Sequence, residues 1–63
     1  MNEKEAIDNA YQSTMSAIFS VFYQSYTNAK GNPQAEQDAE ERFKKGVLHL
    51  RHIYQRASEL LPK

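Results

Sequence analysis

The apolar residues of this chain recur with the period of an α-helix in two long segments. Within each segment they return every three or four residues, which places them along one side of a helix. No stretch shows the alternation of apolar and polar residues that is typical of a β-strand. The pattern predicts an all-α chain with helices at about residues 3–30 and 33–61. The apolar arc of the first helix consists of Ile7, Tyr11, Met15, Ile18, Phe22, Tyr26 and Ala29, and that of the second of Ala35, Ala39, Phe43, Gly46, Val47, Leu50, Ile53, Tyr54, Ala57, Leu60 and Leu61.

One interior cluster of glycine, asparagine and proline separates the two segments. Gly31 suits the left-handed backbone position that closes a helix. Asn32 can cap the second helix, with Pro33 at the first helical position, where a missing N–H group costs nothing. Asn2, followed three residues later by a glutamate, resembles the capping box at the start of a helix. These signals predict a tight turn at residues 31–32.

So short a turn makes the two helices antiparallel neighbours, and residues 1–63 then form one helical hairpin. Folding about the turn places residue i roughly opposite residue 62 − i, which brings Tyr11 opposite Leu50 and Met15 opposite Gly46 and Val47. A glycine in mid-helix costs about 1 kcal/mol relative to alanine. We therefore expect the first helix to approach Gly46 near Met15 or Ile18, so closely that an added methyl group destabilises the chain.

The first helix carries no charged residue between Asn9 and Ala29. A helix that packs against one partner should bear charges on its other side, but here that side carries a stripe of small and polar residues with heptad spacing. We expect a second copy of the chain to cover this stripe, giving a homodimeric four-helix bundle with two-fold symmetry. A trimer, a tetramer or a different protein would cover it too, and an exposed face without charges is the remaining alternative. The predicted oligomer interface consists of Ala6, Ala10, Ser13, Ala17, Ser20 and Gln24.

The charges of the chain cancel, with eight acidic and eight basic side chains. No net field therefore attracts nucleic acid or anionic lipid. Acidic residues on the second helix precede basic residues by four positions, which is the favourable order for ion pairs along a helix. The second helix is therefore predicted to be the outer, solvated one. The predicted ion pairs are Asp38–Arg42, Glu40–Lys44 and Glu41–Lys45.

Two surface patches are candidate binding sites. Basic residues between positions 42 and 56 could contact nucleic acid or another polyanion, although they do not form one stripe on the helix, and a solvated face is the alternative. The residues of this candidate polyanion contact are Lys44, Lys45, Arg51 and Arg56. Apolar residues at the edge of the first arc and outside the second could dock another protein or extend the oligomer interface. These residues are Phe19, Tyr23 and Leu48.

The sequence contains no arrangement that is typical of an enzyme. His49 and His52 supply half of a metal site at best, and no glycine-rich phosphate loop or nucleophile–base pair is present. We therefore expect neither catalysis nor a bound cofactor or metal. The chain has no cysteine, which fits the reducing cytoplasm. Its first residues are too charged for a signal peptide, and the uncharged run is too polar to span a membrane.

These features predict a small non-enzymatic helical module for oligomerisation or interaction, acting as an adaptor, a regulator or a structural protein. The alternative is a helical bundle that binds nucleic acid. The length and hairpin plan resemble those of Rop, a plasmid-encoded RNA-binding protein that is a dimer of two-helix chains. The resemblance is one of architecture without a shared motif, so it implies a similar bundle and transfers no residue role.

Overall fold

The computed structural model describes residues 2–62, which form two α-helices joined by a short turn. Helix α1 spans Glu3–Ala29 and helix α2 spans Pro33–Leu60, so the ends of both helices fall within one residue of the predicted bounds. The helices pack against each other, which confirms the predicted all-α hairpin. Neither described helix is long and apolar enough to cross a membrane. Residues 1 and 63 of the predicted domain lie outside the described residues.

Asparagine side chains cap both helices at their amino ends. Asn2 Oδ1 accepts a hydrogen bond from the backbone N–H of Glu5 at 2.8 Å. Asn32 Oδ1 accepts from the backbone N–H groups of Gln34 at 3.0 Å and Ala35 at 3.2 Å. Each cap accepts hydrogen bonds from backbone N–H groups that the first turn of a helix leaves without a partner. The predicted helix starts are confirmed.

The turn uses two consecutive residues with left-handed backbone conformation. Lys30 has φ 50° and ψ 45°, and Gly31 has φ 79°. The chain then closes with a hydrogen bond of 2.9 Å from the backbone N–H of Asn32 to the carbonyl oxygen of Ala29. The sequence predicted a left-handed position at Gly31, and the structure adds Lys30, where an L side chain adopts this conformation at a cost of about 1 kcal/mol.

Aromatic contacts fix the register between the helices. The ring centroids of Tyr11 and Tyr54 are 4.7 Å apart, and those of Phe22 and Phe43 are also 4.7 Å apart. The residue numbers of both pairs sum to 65 rather than to the predicted 62. Tyr11 therefore contacts Tyr54 rather than the expected Leu50, which lies four residues or just over one helical turn away, although Tyr11 and Leu50 line the same groove.

The displacement follows from the direction in which helical side chains lean. Each side chain points toward the amino end of its own helix. In an antiparallel hairpin, side chains of α1 lean away from the turn and those of α2 lean toward it. The tips of two side chains therefore meet when the α2 residue lies farther along its helix from the turn than the α1 residue does. The rule that pairs residue i with residue 62 − i does not take this inclination of the side chains into account.

Gly46 faces Ile18, one of the two residues expected near it, but the approach is not as close as expected. A Cβ atom built on Gly46 would lie 3.5 Å from Ile18 Cγ2, 3.8 Å from its Cδ1 and 4.0 Å from its Cγ1. These distances are optimal for carbon–carbon contact rather than too short. The expectation that a methyl group has no room at this position is therefore wrong for the single chain.

The hairpin is one helix thick, so it has almost no interior. The Cα atoms extend over 49 × 19 × 6 Å, and their radius of gyration is 14.8 Å, against about 11 Å for a compact domain of this length. Among the described residues, only Ala39 is buried, with 3% of its surface exposed. Stable domains bury their apolar faces between two layers. The single hairpin therefore leaves both of its broad faces uncovered.

Candidate functional site on the two faces of the hairpin

The flat hairpin has two broad faces, each of which collects residues from both helices. In each helix these residues follow one another at spacings of three, four or seven positions, which keeps them on one side. The groove face is the side on which grooves open between the helices. It consists of Ala10, Thr14, Ala17, Val21 and Ser25 from α1 and Arg42, Gly46 and Ile53 from α2. The aromatic face is the opposite side. It consists of Gln12, Phe19, Tyr23 and Tyr26 from α1 and Glu40, Lys44, Leu48 and Arg51 from α2.

The main groove lies near the middle of the groove face and has a volume of about 290 Å³. It exists because small residues occupy the facing positions Ala17 and Gly46, which leaves space between the helices. Val21 stands on the α1 side of the groove and has 63% of its surface exposed. Arg42 is the single charged residue around the groove. The complete lining consists of Thr14, Ala17, Ile18, Val21, Phe22, Ser25, Ala39, Arg42, Phe43 and Gly46.

A second groove of about 180 Å³ continues the groove face toward the open end of the hairpin. Thr14 lines both grooves and joins them. Ile53, which lies on the α2 side, keeps 49% of its surface exposed. The lining consists of Ile7, Ala10, Tyr11, Thr14, Leu50, Ile53, Tyr54 and Ala57, and contains no charged residue. The groove face is therefore a continuous apolar surface in contact with solvent.

The predicted oligomer interface overlaps the groove face in part. All six residues of the predicted stripe are exposed in the single chain. Ala10 and Ala17 line the two grooves, whereas the other four, Ala6, Ser13, Ser20 and Gln24, lie farther around α1 by the geometry of the helix. The hydroxyl of Ser20 donates to the carbonyl oxygen of Ser16 at 3.0 Å, so its polar group is satisfied within its own helix. Coverage of the stripe by a second chain stays a prediction.

The three residues of the predicted docking patch are all well exposed and belong to the aromatic face. Exposed fractions are 54% for Phe19, 63% for Tyr23 and 62% for Leu48. The rings of Phe19 and Tyr23 lie next to each other, with centroids 6.4 Å apart. Tyr26 and Glu40 border the same hollow as these rings. The aromatic face therefore combines exposed rings with charged side chains of both signs.

The four basic residues of the predicted polyanion contact are exposed but divided between two sides of α2. Lys44 and Arg51 belong to the aromatic face, whereas Lys45 and Arg56 lie on the outer side of the helix. Arg56 forms an ion pair with Glu59 at 3.4 Å. This arrangement agrees with the expectation that the basic residues do not form one stripe.

None of the three predicted ion pairs along α2 is formed. Between residues 2 and 62 the ion pairs are Lys4–Asp8 at 2.8 Å and Arg56–Glu59. Asp38 instead accepts a hydrogen bond from the side-chain amide of Gln34 at 3.0 Å. Exposed pairs gain little energy in water and restrain two long side chains, so sequence spacing alone does not ensure that they form.

A polar cluster that no sequence pattern indicated joins the two helices at the open end of the hairpin. The hydroxyl of Tyr54 donates to Asp8 Oδ1 at 2.5 Å, and the Lys4 ammonium donates to both Asp8 and the Tyr54 hydroxyl. The ammonium nitrogen also lies 4.4 Å from the centre of the Tyr54 ring. The Asp8 side chain raises the pKa of Lys4 by hydrogen bonding, with a smaller contribution from Tyr54. The same bond from Lys4, and then that from Tyr54, lowers the pKa of Asp8.

His49 and His52 are exposed on α2. Across residues 2–62, no three histidine, aspartate or glutamate side chains come together as a group that could hold a metal ion.

No protein-family model, curated protein or solved structure matches this chain.

Proposed function

We propose that the chain is a small non-enzymatic helical module for oligomerisation and interaction, and that it associates into a homodimeric four-helix bundle. Within this proposal it acts as an adaptor, a regulator or a structural protein, and it lies in the cytoplasm, where the lack of cysteine is expected. The observation that carries the proposal is the groove face, a continuous apolar surface on a hairpin that is one helix thick.

Energetic considerations support association. Fully burying one exposed valine, leucine or isoleucine side chain gains about 1.5–3 kcal/mol. Val21, Ile53 and Leu60 have 63%, 49% and 70% of their surface exposed, so much of this gain is unrealised in the single chain. A chain of 63 residues without a disulfide is marginally stable alone. Association would supply the missing buried area.

The direct test measures mass and melting temperature against concentration. Sedimentation equilibrium should give twice the 7.3 kDa of one chain at micromolar concentration. The melting temperature should rise with protein concentration, because association stabilises the folded form by mass action. A folded 7.3 kDa species with a concentration-independent melting temperature would contradict the proposal. A larger oligomer would be consistent with an oligomerisation module and would contradict the dimeric stoichiometry.

Nucleic-acid binding is a second candidate function, favoured by the composition of the aromatic face. Lys44 and Arg51 lie on the same face as the exposed rings of Phe19 and Tyr23. Aromatic rings on which bases stack, next to basic residues that contact phosphates, are typical of surfaces that bind single strands. Glu40, on the same face, opposes such binding.

Fluorescence anisotropy with a labelled single-stranded RNA tests this second function. Replacing both Lys44 and Arg51 with glutamine should weaken binding and reduce its salt dependence. The control replaces Lys45 and Arg56, which removes the same charge from the outer side of α2. Equal effects of the two double variants would indicate nonspecific attraction, and no binding at low salt would eliminate the candidate.

A further inference from the structure

We infer that the groove face, rather than the aromatic face or the outer side of α1, is the surface that a second copy of this chain covers. This inference rests on the proposed function, because it assigns the interface of the proposed dimer. It goes further by identifying which layer of residues becomes the bundle core and which face stays in contact with solvent.

The two faces differ in the number of charges that an interface would have to dehydrate. Both grooves together are bordered by one charged residue, Arg42. Its long side chain can keep the guanidinium at the rim while its methylene groups cover apolar surface. The hollows on the aromatic face are bordered by three charged residues, Asp8, Glu40 and Arg51. Removing such charges from water without precise pairing is costly, so the groove face is the one that a partner can cover at lower cost.

A broad face of the hairpin, unlike the edge of one helix, is large enough for a stable dimer interface. The Cα atoms extend over 49 × 19 Å, so each of the two broad faces has a projected area of about 900 Å². Stable protein–protein interfaces bury about 800 Å² on each partner. The outer side of α1, which carries Ser13, Ser20 and Gln24, is the edge of a single helix and provides a narrower contact. Only a broad face supplies the area.

The shape of the groove face suits an isologous contact. In a two-fold dimer the same patch serves both partners, so it must contain both protrusions and hollows. Val21 protrudes from α1, with 63% of its surface exposed, beside a groove of about 290 Å³. The groove floor is formed by the apolar side chains of Ile18, Phe22 and Phe43. A second copy of the hairpin therefore carries side chains that can enter the groove of the first.

This arrangement completes the two layers of a four-helix bundle. It also determines what stays outside. The aromatic faces of the two copies then point outward on opposite sides of the dimer. Phe19, Tyr23 and Leu48 stay exposed after dimerisation and are presented twice.

Two matched substitutions test the assignment, since Val21 and Tyr23 are equally exposed, at 63% each, on opposite faces of the same helix. In sedimentation experiments, Val21→Glu should shift the chain from dimer toward monomer, and Tyr23→Glu should leave the dimer intact. Ser13→Glu, on the outer side of α1, should also leave it intact. If Tyr23→Glu or Ser13→Glu dissociates the dimer and Val21→Glu does not, the assignment is overturned while the proposed module stands. A wild-type chain that is monomeric overturns both.

Because Val21→Glu could unfold the chain, a second measurement uses thiol reactivity. The chain has no cysteine, so Val21→Cys and Tyr23→Cys each introduce a single thiol. Where nine tenths of the chain is dimeric, the thiol at position 21 should react with a maleimide about tenfold more slowly than after dilution to monomer, because only the monomer exposes it. The thiol at position 23 should react at the same rate in both conditions. Protection at position 23 and not at position 21 would overturn the assignment.

Discussion

The hydroxyl of Tyr54 on α2 donates a hydrogen bond of 2.5 Å to the carboxylate of Asp8 on α1. This bond connects the two helices near the open end of the hairpin, far from the covalent connection at the turn. The ring of Tyr54 also packs against Tyr11, with centroids 4.7 Å apart. The contact therefore combines a polar bond with aromatic packing where the chain is otherwise free to separate.

The Asp8 contact predicts a loss of stability in acid. Its pKa is lowered from 3.8 in the folded chain, first by the hydrogen bond from Lys4 and then by that from Tyr54. Because the pKa of Asp8 is lower in the folded chain, its ionised carboxylate stabilises the fold above pH 3.8. This stabilisation is lost as the pH falls through the pKa that Asp8 has in the folded chain. The melting temperature of the wild type should therefore fall more steeply below this pH than that of Asp8→Asn.

Two comparisons make the acid prediction specific. Tyr54→Phe retains the ring and removes the hydroxyl, so it should show a smaller loss in acid than the wild type. Lys4 behaves in the opposite direction, because its pKa is raised from 10.5, and its contribution is lost as the pH rises through the folded pKa. Parallel pH profiles for the wild type and Asp8→Asn would show that the contact does not stabilise the fold.

At concentrations where the chain is monomeric, Gly46→Ala should stabilise it by about 1 kcal/mol, because alanine has the higher helix propensity and its methyl group has room in the single chain. The new Cβ would contact Ile18 Cγ2 at 3.5 Å, which is an ordinary distance. Urea unfolding should show a higher midpoint with an unchanged slope. A lower midpoint that appears only where the chain is dimeric would mean that the space beside Gly46 is occupied by atoms from outside the single chain.

Lys30→Gly should stabilise the turn, because Lys30 has a left-handed backbone with φ 50°. Glycine adopts this conformation without the cost of about 1 kcal/mol that a Cβ atom imposes. The matched change Gly31→Ala, at φ 79°, should destabilise by a similar amount. Thermal unfolding of the two variants should thus give shifts of opposite sign. Two shifts in the same direction would mean that the turn does not hold both conformations.

The helices were predictable from sequence because their ends are set by local interactions. Asn2 and Asn32 cap helices through bonds that reach only two or three residues along the chain. The register was not predictable in this way, because the contact between Phe22 and Phe43 depends on how side chains lean across the hairpin. The hydrogen bond between Asp8 and Tyr54 depends on the same register, so the sequence did not predict it either.

The candidate surfaces were predictable only in part. Helical spacing put Phe19 and Tyr23 at the edge of one apolar arc and Leu48 outside the other, and all three side chains are well exposed. Helical spacing did not distinguish the two broad faces. The sequence of one helix shows in which direction its apolar arc points, but it does not show on which side of the arc a groove opens between the helices. The grooves beside Ala10 and Ala17 became apparent only when both helices were placed together.

The last prediction concerns Ala17, which belongs both to the predicted stripe and to the lining of the main groove. A glutamate at this position would place a carboxylate in the proposed dimer core, close to the two-fold related copy. Burying an unpaired charge costs about 3 kcal/mol or more, and each 1.4 kcal/mol changes a dissociation constant tenfold. Ala17→Glu should therefore raise the dimer dissociation constant by about 100-fold or more. The neighbouring Ser16→Glu adds the same charge about 100° farther around α1 and should leave association unchanged. Sedimentation equilibrium of both variants measures the difference directly, and an Ala17→Glu chain that dimerises like Ser16→Glu would show that Ala17 faces solvent in the assembled protein.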